Sequence, residues 1–492
     1  MKNIYRILLF LAVLSLSSCY KDEGNYDYRE MPKVTINGIP EKCEAFIGSN
    51  LKVPVEIVYE NGAYEDVSYE WRLQGKVIST EKDLDVMVNF EAKPNQYADF
   101  SVIDNATGLR TIKIFTMDVS TEFSKGWMIL SNESDHSELS YIRPDGRLYD
   151  NIYEKLNGEK LSANAVQIKE HWLPWSDKTG EIFIGAPEGP NHAVELDGNT
   201  FKRMVYSKDE FLEGAPDNFA PVSFEAVGGW DYMFSNKKLY TRYIKDPFDA
   251  NYHTGKFVRL PVPGDYELLP FTFKGNVMFS YEIFAFDALH KSYKVISDGV
   301  ISDFNTSYDS EKAFNPTNMN KTLLTAGAIS VESPVDIFVS MLKGDDGKIY
   351  MQKFKFSGWS NKTFRSMEEK EFPNPELVKE DTQWAICMGR PYVYFNSGNK
   401  LYVYNHQANT VKELQGTKFD GKIKAIAICP TDPEELAVAS VNKNDASRCD
   451  FMLLNVGVVQ DGAMKPGTLK EAAFGNVRNI TYKVGLQFDI AL

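Results

Sequence analysis

The residues able to bind metal ions or act as nucleophiles are few and widely separated in this sequence. The four cysteines beyond Cys19 have no Cys-x-x-Cys spacing, and the six histidines are scattered without ligand-type spacing. Zinc sites need clusters of these residue types. We therefore predict no metal site and no cofactor, with each histidine on the surface or in a turn. The four cysteines and six histidines considered are Cys43, Cys387, Cys429, Cys449, His136, His171, His192, His253, His290 and His406.

Two of these cysteines leave an alternative open. Cys429 and Cys449 are close enough in sequence to lie on neighbouring strands. They either form a disulfide or are buried as small hydrophobic residues, as unpaired cysteines often are.

Sequence motifs of catalysis are absent. The chain has no Gly-x-Ser-x-Gly, no His-Glu-x-x-His, no phosphate-binding loop and no dinucleotide fingerprint. A pair of carboxylates separated by roughly 5–9.5 Å can hydrolyse a glycosidic bond. With 68 Asp and Glu residues, however, the sequence cannot nominate such a pair. We predict no catalytic residue, and a non-catalytic role is favoured.

Four tryptophans are the best candidates for contacting a ligand. Trp172 and Trp175 flank Pro174, which interrupts regular strand pairing, Trp230 follows two glycines, and Trp384 follows a polar run. Tryptophan on a loop offers a rigid apolar face to a sugar ring or a peptide side chain. The alternative for each of them is packing inside the fold.

Bulk composition restricts the class of protein. The chain has 492 residues, 43% of them hydrophobic and 13% aromatic, which is typical of folded, strand-rich proteins with more than one domain. Its net charge of −14 repels phosphate backbones. Nucleic acid is therefore not an expected partner.

The first residues form an export signal. Lys2 and Arg6 precede the apolar run 7–14, which is shorter than the roughly 20 residues of a membrane-spanning helix. The following Leu16-Ser17-Ser18-Cys19 resembles the lipobox of bacterial lipoproteins. That resemblance implies removal of residues 1–18 and a lipid anchor on Cys19. The alternative is an ordinary secretory signal with a cysteine at its end by chance.

The residues just after Cys19 carry charge. Lys21, Asp22 and Glu23 resemble the signal that directs Bacteroidetes-type lipoproteins to the outer face of the outer membrane. The alternative is a merely polar tether over residues 19–32. No later segment has an apolar run long enough to span a bilayer, so the lipid is the expected membrane attachment.

Residues 33–120 are predicted to form an immunoglobulin-like β-sandwich. Apolar residues alternate with polar or small ones from Val53 to Tyr59 and again around Trp71, and about seven short strands are separated by turn residues. Trp71 is the expected core aromatic residue. A domain boundary is expected near 119–124, where this pattern ends.

The opening Cys19-Tyr20-Lys21-Asp22-Glu23-Gly24-Asn25-Tyr26-Asp27-Tyr28 resembles the start of PKD-like family lipoproteins, and the strand Tyr69-Glu70-Trp71 fits the sandwich of that family. The resemblance covers residues 19 to about 120. It implies a context similar to the accessory lipoproteins of SusC/SusD-type nutrient importers. It carries over no catalytic residues.

Residues 121–492 show a loose repeat of a turn followed by a basic residue, an aliphatic residue and tyrosine. Strong copies end at Tyr149, Tyr240, Tyr350 and Tyr402, which fits a unit of about 50 residues. Hairpins at that period predict a β-propeller of about seven blades, closed by the strand 480–484 beside the hairpin of Trp127. The alternative is a pair of stacked β-sandwiches.

Three functions fit these features. The first is a non-catalytic surface lipoprotein that assists a SusC/SusD-type importer by capturing an oligosaccharide or peptide or by joining the transporter complex. The second is a propeller glycosidase or lyase acting on polymer before import. The third is an adhesin.

Overall fold

The computed structural model describes residues 32–171, 180–189, 191–227, 229–243, 255–275, 282–332, 335–358 and 362–485. The chain divides between Ser120 and Thr121 into two compact units, and nearly all regular structure in both is β-strand. Among the described residues, no helix is long and apolar enough to cross a membrane.

The N-terminal unit is built from antiparallel pairs and one parallel pair. Its main sheet has the order β2-β9-β8-β5-β6, in which β2 and β9 are parallel, and two further sheets pair β1 with β4 and β3 with β7. The strands are β1 (Lys33–Asn37), β2 (Lys42–Phe46), β3 (Asn50–Val53), β4 (Glu56–Glu60), β5 (Val67–Leu73), β6 (Lys76–Ser79), β7 (Leu84–Met87), β8 (Lys93–Asp104) and β9 (Arg110–Ser120).

Trp71 lies at the centre of this unit, as the sequence predicts. Its side chain is fully buried, with ring centroids 4.5 Å from Phe100 and 6.0 Å from Phe115. The indole Nε1–H donates a hydrogen bond of 3.0 Å to the Glu81 carbonyl, so its polar atom is satisfied inside the core.

The described strands of the C-terminal unit form seven sheets, which we call blades 1 to 7. The strands of each blade are given in order from the innermost to the outermost. Blade 3 has three strands here, and β36 pairs with β34 in blade 7. Blade 1 is β37 (Asn476–Lys483), β10 (Gly126–Asn132), β11 (Ser137–Ile142) and β12 (Leu148–Tyr149); blade 2 is β13 (Gln167–His171), β14 (Glu181–Gly185), β15 (Val194–Leu196) and β16 (Arg203–Tyr206); blade 3 is β17 (Pro221–Val227), β18 (Trp230–Ser235) and β19 (Lys238–Tyr243); blade 4 is β20 (Leu268–Phe273), β21 (Ile283–Asp287), β22 (Ser292–Ser297) and β23 (Val300–Asp303); blade 5 is β24 (Lys321–Glu332), β25 (Val335–Gly344), β26 (Ile349–Ser357) and β27 (Thr363–Glu371); blade 6 is β28 (Trp384–Ile386), β29 (Tyr392–Ser397), β30 (Lys400–Asn405) and β31 (Thr410–Glu413); blade 7 is β32 (Ile423–Cys429), β33 (Asp432–Val441), β34 (Cys449–Asn455), β35 (Ala463–Met464) and β36 (Lys470–Phe474).

The seven innermost strands close into a ring. Each contacts the innermost strand of the next blade, and β32 of blade 7 contacts β37 of blade 1. The last strand pairs antiparallel with β10, with Ile480 opposite Ile129 and Tyr482 opposite Trp127. The predicted β-propeller and its closing strand are therefore confirmed. Among the described residues, a short helix, α1 (Ile152–Asn157), and the 3₁₀ turns Ser207–Glu210 and Pro375–Leu377 lie between strands.

Burial explains why alternation is weak in this unit. Second strands such as β10 and β14 are buried on both faces, because each blade packs between two others. Their sequences are therefore continuously apolar. The innermost strands of blades 2 to 7 recur at intervals that scatter around the period read from the sequence, beginning at Gln167, Pro221, Leu268, Lys321, Trp384 and Ile423.

The repeat motif itself marks two different turns. The copies ending at Tyr240, Tyr350 and Tyr402 lie in the hairpin between second and third strands. The copy ending at Tyr149 instead joins the third and fourth strands of blade 1. Blade 1 takes its inner strand from the end of the chain, which shifts its turns by one strand relative to the other blades.

The cysteines outside the N-terminal segment are buried thiols. Cys43, Cys387, Cys429 and Cys449 are all unpaired in the structure. Cys429 and Cys449 therefore follow the second alternative: they form no disulfide with each other and are buried as small hydrophobic residues.

Candidate functional site

Strand direction places the loops of the propeller on two faces. Because neighbouring strands in each blade run antiparallel, the loops after the first and third strands share one face. We call this the cavity face, since it carries a cavity of about 920 Å³ across blades 5, 6 and 7. The cavity is lined by Ile329, Ser330, Ile337, Lys353, Ile386, Met388, Gly389, Arg390, Pro391, His406, Gln407, Ile428, Cys429, Pro430, Thr431 and Pro433.

The loop after β28 positions a guanidinium in this cavity. Gly389 adopts a φ of +76°, which an L side chain rarely tolerates, and its N–H donates to the Ile329 carbonyl at 2.9 Å. The next residue, Arg390, makes an ion pair through Nη2 with Glu434. Its Nη1 is buried and has no hydrogen-bond partner among the described residues. One side of the Arg390 guanidinium is thus fixed by Glu434, and Nη1 on the other side can donate a hydrogen bond to a ligand.

His406 and Lys353 add two further polar groups. The His406 imidazole is 1% exposed, and neither ring nitrogen has a hydrogen-bond partner among the described residues. Burial, together with the nearby Lys353 ammonium, lowers the pKa of His406 to about 4, so its ring is neutral at pH 7. Within the described part of the chain, Lys353 makes no ion pair.

The composition of this lining is suited to a polar ligand with negative charge. Its walls combine apolar side chains with a few convergent donors, the usual composition of a small-molecule site. Two of those donors, Lys353 and Arg390, are cationic. The described lining residues include no Asp or Glu, and burial raises the pKa of the Cys429 thiol, which opposes thiolate formation.

A second polar cluster lies between blades 2 and 3 on the same face. His171 ends β13 and pairs in register with Glu181, the first residue of β14. On the facing blade, Asp231 of β18 pairs with Arg242 of β19. These residues, with Glu195 and Glu210, form what we call the blade 2–3 charge cluster, and the side chains of all six are at least nine-tenths buried.

Arg242 is the central cation of this cluster. It forms an ion pair of 2.6 Å with Asp231, a second with Glu210, and a longer contact of 3.9 Å with Glu195. Its guanidinium also lies 4.6 Å from the ring centroid of Phe257, where a cation is favoured by the aromatic face.

The pKa values of two carboxyl groups in the cluster are strongly raised. Burial, and after it the Asp231 carboxylate, raises the pKa of Glu181 to about 9. Burial and the Glu210 carboxylate likewise raise the pKa of Glu195 well above its ordinary range. Both shifts express the cost of placing several negative charges together away from water.

Trp230 and Trp384, two of the tryptophans proposed as ligand contacts, are not among the described residues that line the cavity. Trp230 packs on Tyr243 at 5.1 Å and covers Gly299 in the adjacent blade 4. Trp384 stacks on Phe395 at 5.2 Å within blade 6. Trp172 and Trp175 lie outside the described residues, as do Cys19, Lys21, Asp22 and Glu23. Ligand contact by the four tryptophans stays a prediction.

Two histidines differ from the expectation that isolated histidines lie on the surface or in turns. His171 and His406 are each 1% exposed, and both belong to a polar site on the cavity face. No spacing signal marks either of them, because their partners come from other strands. The turn Gly389-Arg390-Pro391 is a usable signal, since glycine and proline there force a tight turn that projects an arginine. His253 lies outside the described residues.

Comparison with known proteins supports the N-terminal domain most directly. Residues 19–164 match the sequence model of the PKD-like family. No curated protein matches the chain.

Solved structures with a similar arrangement are distant in sequence. A quinonprotein alcohol dehydrogenase-like protein from Bacteroides thetaiotaomicron is 12% identical over 93% of this chain and 100% of that one, with a TM-score of 0.41. The β-propeller domain of Cps50 (Swd1) from Myceliophteria thermophila is 11% identical over 65% and 97%, with a TM-score of 0.37. A DUF4784 family protein from Bacteroides caccae is 10% identical over 77% and 95%, with a TM-score of 0.30.

No activity follows from these likenesses. The sheet order, the ring of inner strands and the match over residues 19–164 are sufficient to describe the architecture. The chain is an all-β protein in which a PKD-like N-terminal domain precedes a seven-bladed β-propeller.

Proposed function

We propose that this protein is a non-catalytic surface lipoprotein that captures an acidic ligand for a SusC/SusD-type nutrient importer. The lipid on Cys19 anchors it in the outer membrane, and Lys21, Asp22 and Glu23 direct it to the cell exterior. The ligand is an oligosaccharide or peptide bearing carboxylate groups, and it binds in the cavity of blades 5 to 7.

The observation that carries this proposal is the set of unsatisfied donors in the cavity. Arg390 Nη1 is buried without a hydrogen-bond partner among the described residues, and Lys353 makes no ion pair there. A buried donor left unpaired costs roughly 1–3 kcal/mol. A ligand carboxylate would remove that cost and form charge-assisted hydrogen bonds, which are stronger than neutral ones.

The same lining favours binding over hydrolysis. A propeller glycosidase needs two carboxyl groups on either side of the scissile bond. Within the part of the chain that the structure describes, the residues that line this cavity contain neither Asp nor Glu. Among the described residues, no observation specifically favours an adhesin.

Replacing the two cations should weaken capture of acidic ligands. We expect the double variant Lys353→Met and Arg390→Met to bind uronic-acid oligosaccharides about 10- to 100-fold more weakly, the loss of one or two charge-assisted hydrogen bonds. Calorimetry against acidic oligosaccharides, neutral oligosaccharides of matched length and acidic peptides measures this. The matched control is Lys348→Met, an exposed lysine on a turn of blade 5 that pairs with Glu371.

The outcomes separate the candidate ligands. Binding of acidic peptides but not sugars would assign the peptide class. Equal affinity for neutral and acidic oligosaccharides, or an unaltered double variant with an unchanged melting temperature, would contradict the proposed site.

The anchor is tested separately from the cavity. Cys19→Ala should abolish incorporation of labelled fatty acid and release the protein from the membrane fraction. Cys43→Ala is the control, because the Cys43 thiol is buried in the β-sandwich and is expected to leave lipidation unchanged. Equal labelling of the Cys19→Ala variant and the wild type would exclude the lipid anchor.

A further inference from the structure

We propose that His171, Glu181 and Glu195 form a buried binding site for a divalent transition-metal ion between blades 2 and 3. This site is independent of the ligand cavity, which belongs to blades 5, 6 and 7. Its function would be to fasten three neighbouring strands of blade 2, β13, β14 and β15.

The three side chains converge on one point. His171 Nε2 lies 4.0 Å from Glu181 Oε2 and 3.9 Å from Glu195 Oε2, too far for hydrogen bonds. One ligand atom from each residue lies within 4.8 Å of the other two. A point central to such a triangle is at most about 2.8 Å from each atom, whereas zinc bonds to nitrogen and carboxylate oxygen are about 2.0–2.2 Å. Side-chain shifts of about 0.6 Å would therefore complete the coordination.

Strand pairing makes this convergence rigid. His171 and Glu181 are direct cross-strand partners in blade 2, and Glu195 follows on the adjacent β15. The His171 ring packs 4.6 Å from the Phe224 ring of blade 3, which fixes its plane. Ligands supplied by neighbouring strands are held more precisely than ligands on loops.

Glu195 is the ligand least satisfied by the protein. Its side chain is 0% exposed, and neither carboxylate oxygen accepts a hydrogen bond among the described residues. Among the described residues, the His171 imidazole and the Arg242 guanidinium each lie 3.9 Å from this carboxylate. A fully buried carboxylate that accepts no hydrogen bond from a described donor, and that lies beside a histidine and a second carboxylate, is the observation that points to a bound ion.

The donor set selects the class of metal. One imidazole nitrogen with two carboxylate oxygens suits zinc, manganese or iron, whereas calcium and magnesium sites are built from oxygen alone. Three protein ligands also leave a coordination position that water can fill.

Zinc binding by the full chain tests the inference. After treatment with a chelator, the wild-type protein should take up about one equivalent of Zn²⁺ and melt several degrees higher when it is saturated, because an ion that binds only the folded state stabilises it. Co²⁺ in the same site should give visible absorption bands of low-symmetry coordination. Calorimetry and elemental analysis report the stoichiometry.

Substitutions assign the site to these residues. Glu195→Gln and Glu181→Gln, each close in shape to the native side chain, should weaken Zn²⁺ binding at least tenfold and abolish the zinc-dependent rise in melting temperature. Glu225→Gln is the matched control, because Glu225 is equally buried in the propeller but pairs with Lys169 and Lys274. It should bind zinc as the wild type does.

Two results would overturn the site. The first is a wild-type melting temperature that does not respond to Zn²⁺ or Mn²⁺, which would mean that the carboxylates share protons instead. The second is zinc uptake that both glutamine variants retain. If one of the variants fails to fold, the other decides the assignment.

Discussion

Replacing Arg242 by methionine should destabilise the propeller by about 3–5 kcal/mol, since removing one partner of a buried ion pair leaves the other charges uncompensated. Arg242 is 1% exposed and lies between Asp231 and Glu210, which are themselves buried. Methionine fills much of the same volume, so lost packing accounts for little of the effect. Urea denaturation followed through the propeller's own unfolding transition measures it.

Arg259→Met is the control for this loss. Arg259 also pairs with an aspartate, but its side chain is 39% exposed and that of Asp217 is 96% exposed. Exposed pairs contribute roughly 0–1 kcal/mol. If the two variants unfold at the same urea concentration, the blade 2–3 charge cluster does not depend on Arg242. With a metal ion in the cluster, the Arg242→Met variant should lose less stability in zinc than in chelator.

Local patterning in the sequence predicts the fold because each blade repeats the same hairpin. Turn residues that follow apolar strands recur about every 50 residues. The strand near residue 480 closes the ring of blades, because it pairs with β10 of blade 1. The assignment of turns within a blade fails at Tyr149, because blade 1 takes its inner strand from the far end of the chain. Periodicity reports the number of blades better than the position of a strand within one.

The polar sites could not be predicted in the same way. His171 and Glu195 belong to different strands of blade 2 and meet only because β13, β14 and β15 pair in a particular register. Lys353 lies on β26 of blade 5, whereas Arg390 and His406 lie in two different loops of blade 6. Ligand spacing within one segment, the signal sought in the sequence, does not exist for sites assembled across strands.

Trp230 and Trp384 carry the aromatic area expected of ligand contacts, and in the structure each makes an aromatic packing contact. Their role in ligand contact stays a prediction. The alternating strand around Trp71 predicts a core residue, and that local context is the better guide to where a tryptophan lies.

Trp71→Ala should therefore unfold the N-terminal unit first, at a cost of about 3–5 kcal/mol, the range for removal of a large buried aromatic side chain. The variant loses contact with Phe100 and Phe115 and leaves the Glu81 carbonyl without its indole donor. Tyr97→Ala is the control, because Tyr97 is a 45% exposed aromatic residue of the same unit and should cost little. The hydrophobic cluster around Trp71 contains residues of the N-terminal unit alone, so calorimetry should show the propeller transition unmoved. A single transition shifted as a whole would mean instead that the two units unfold as one cooperative body.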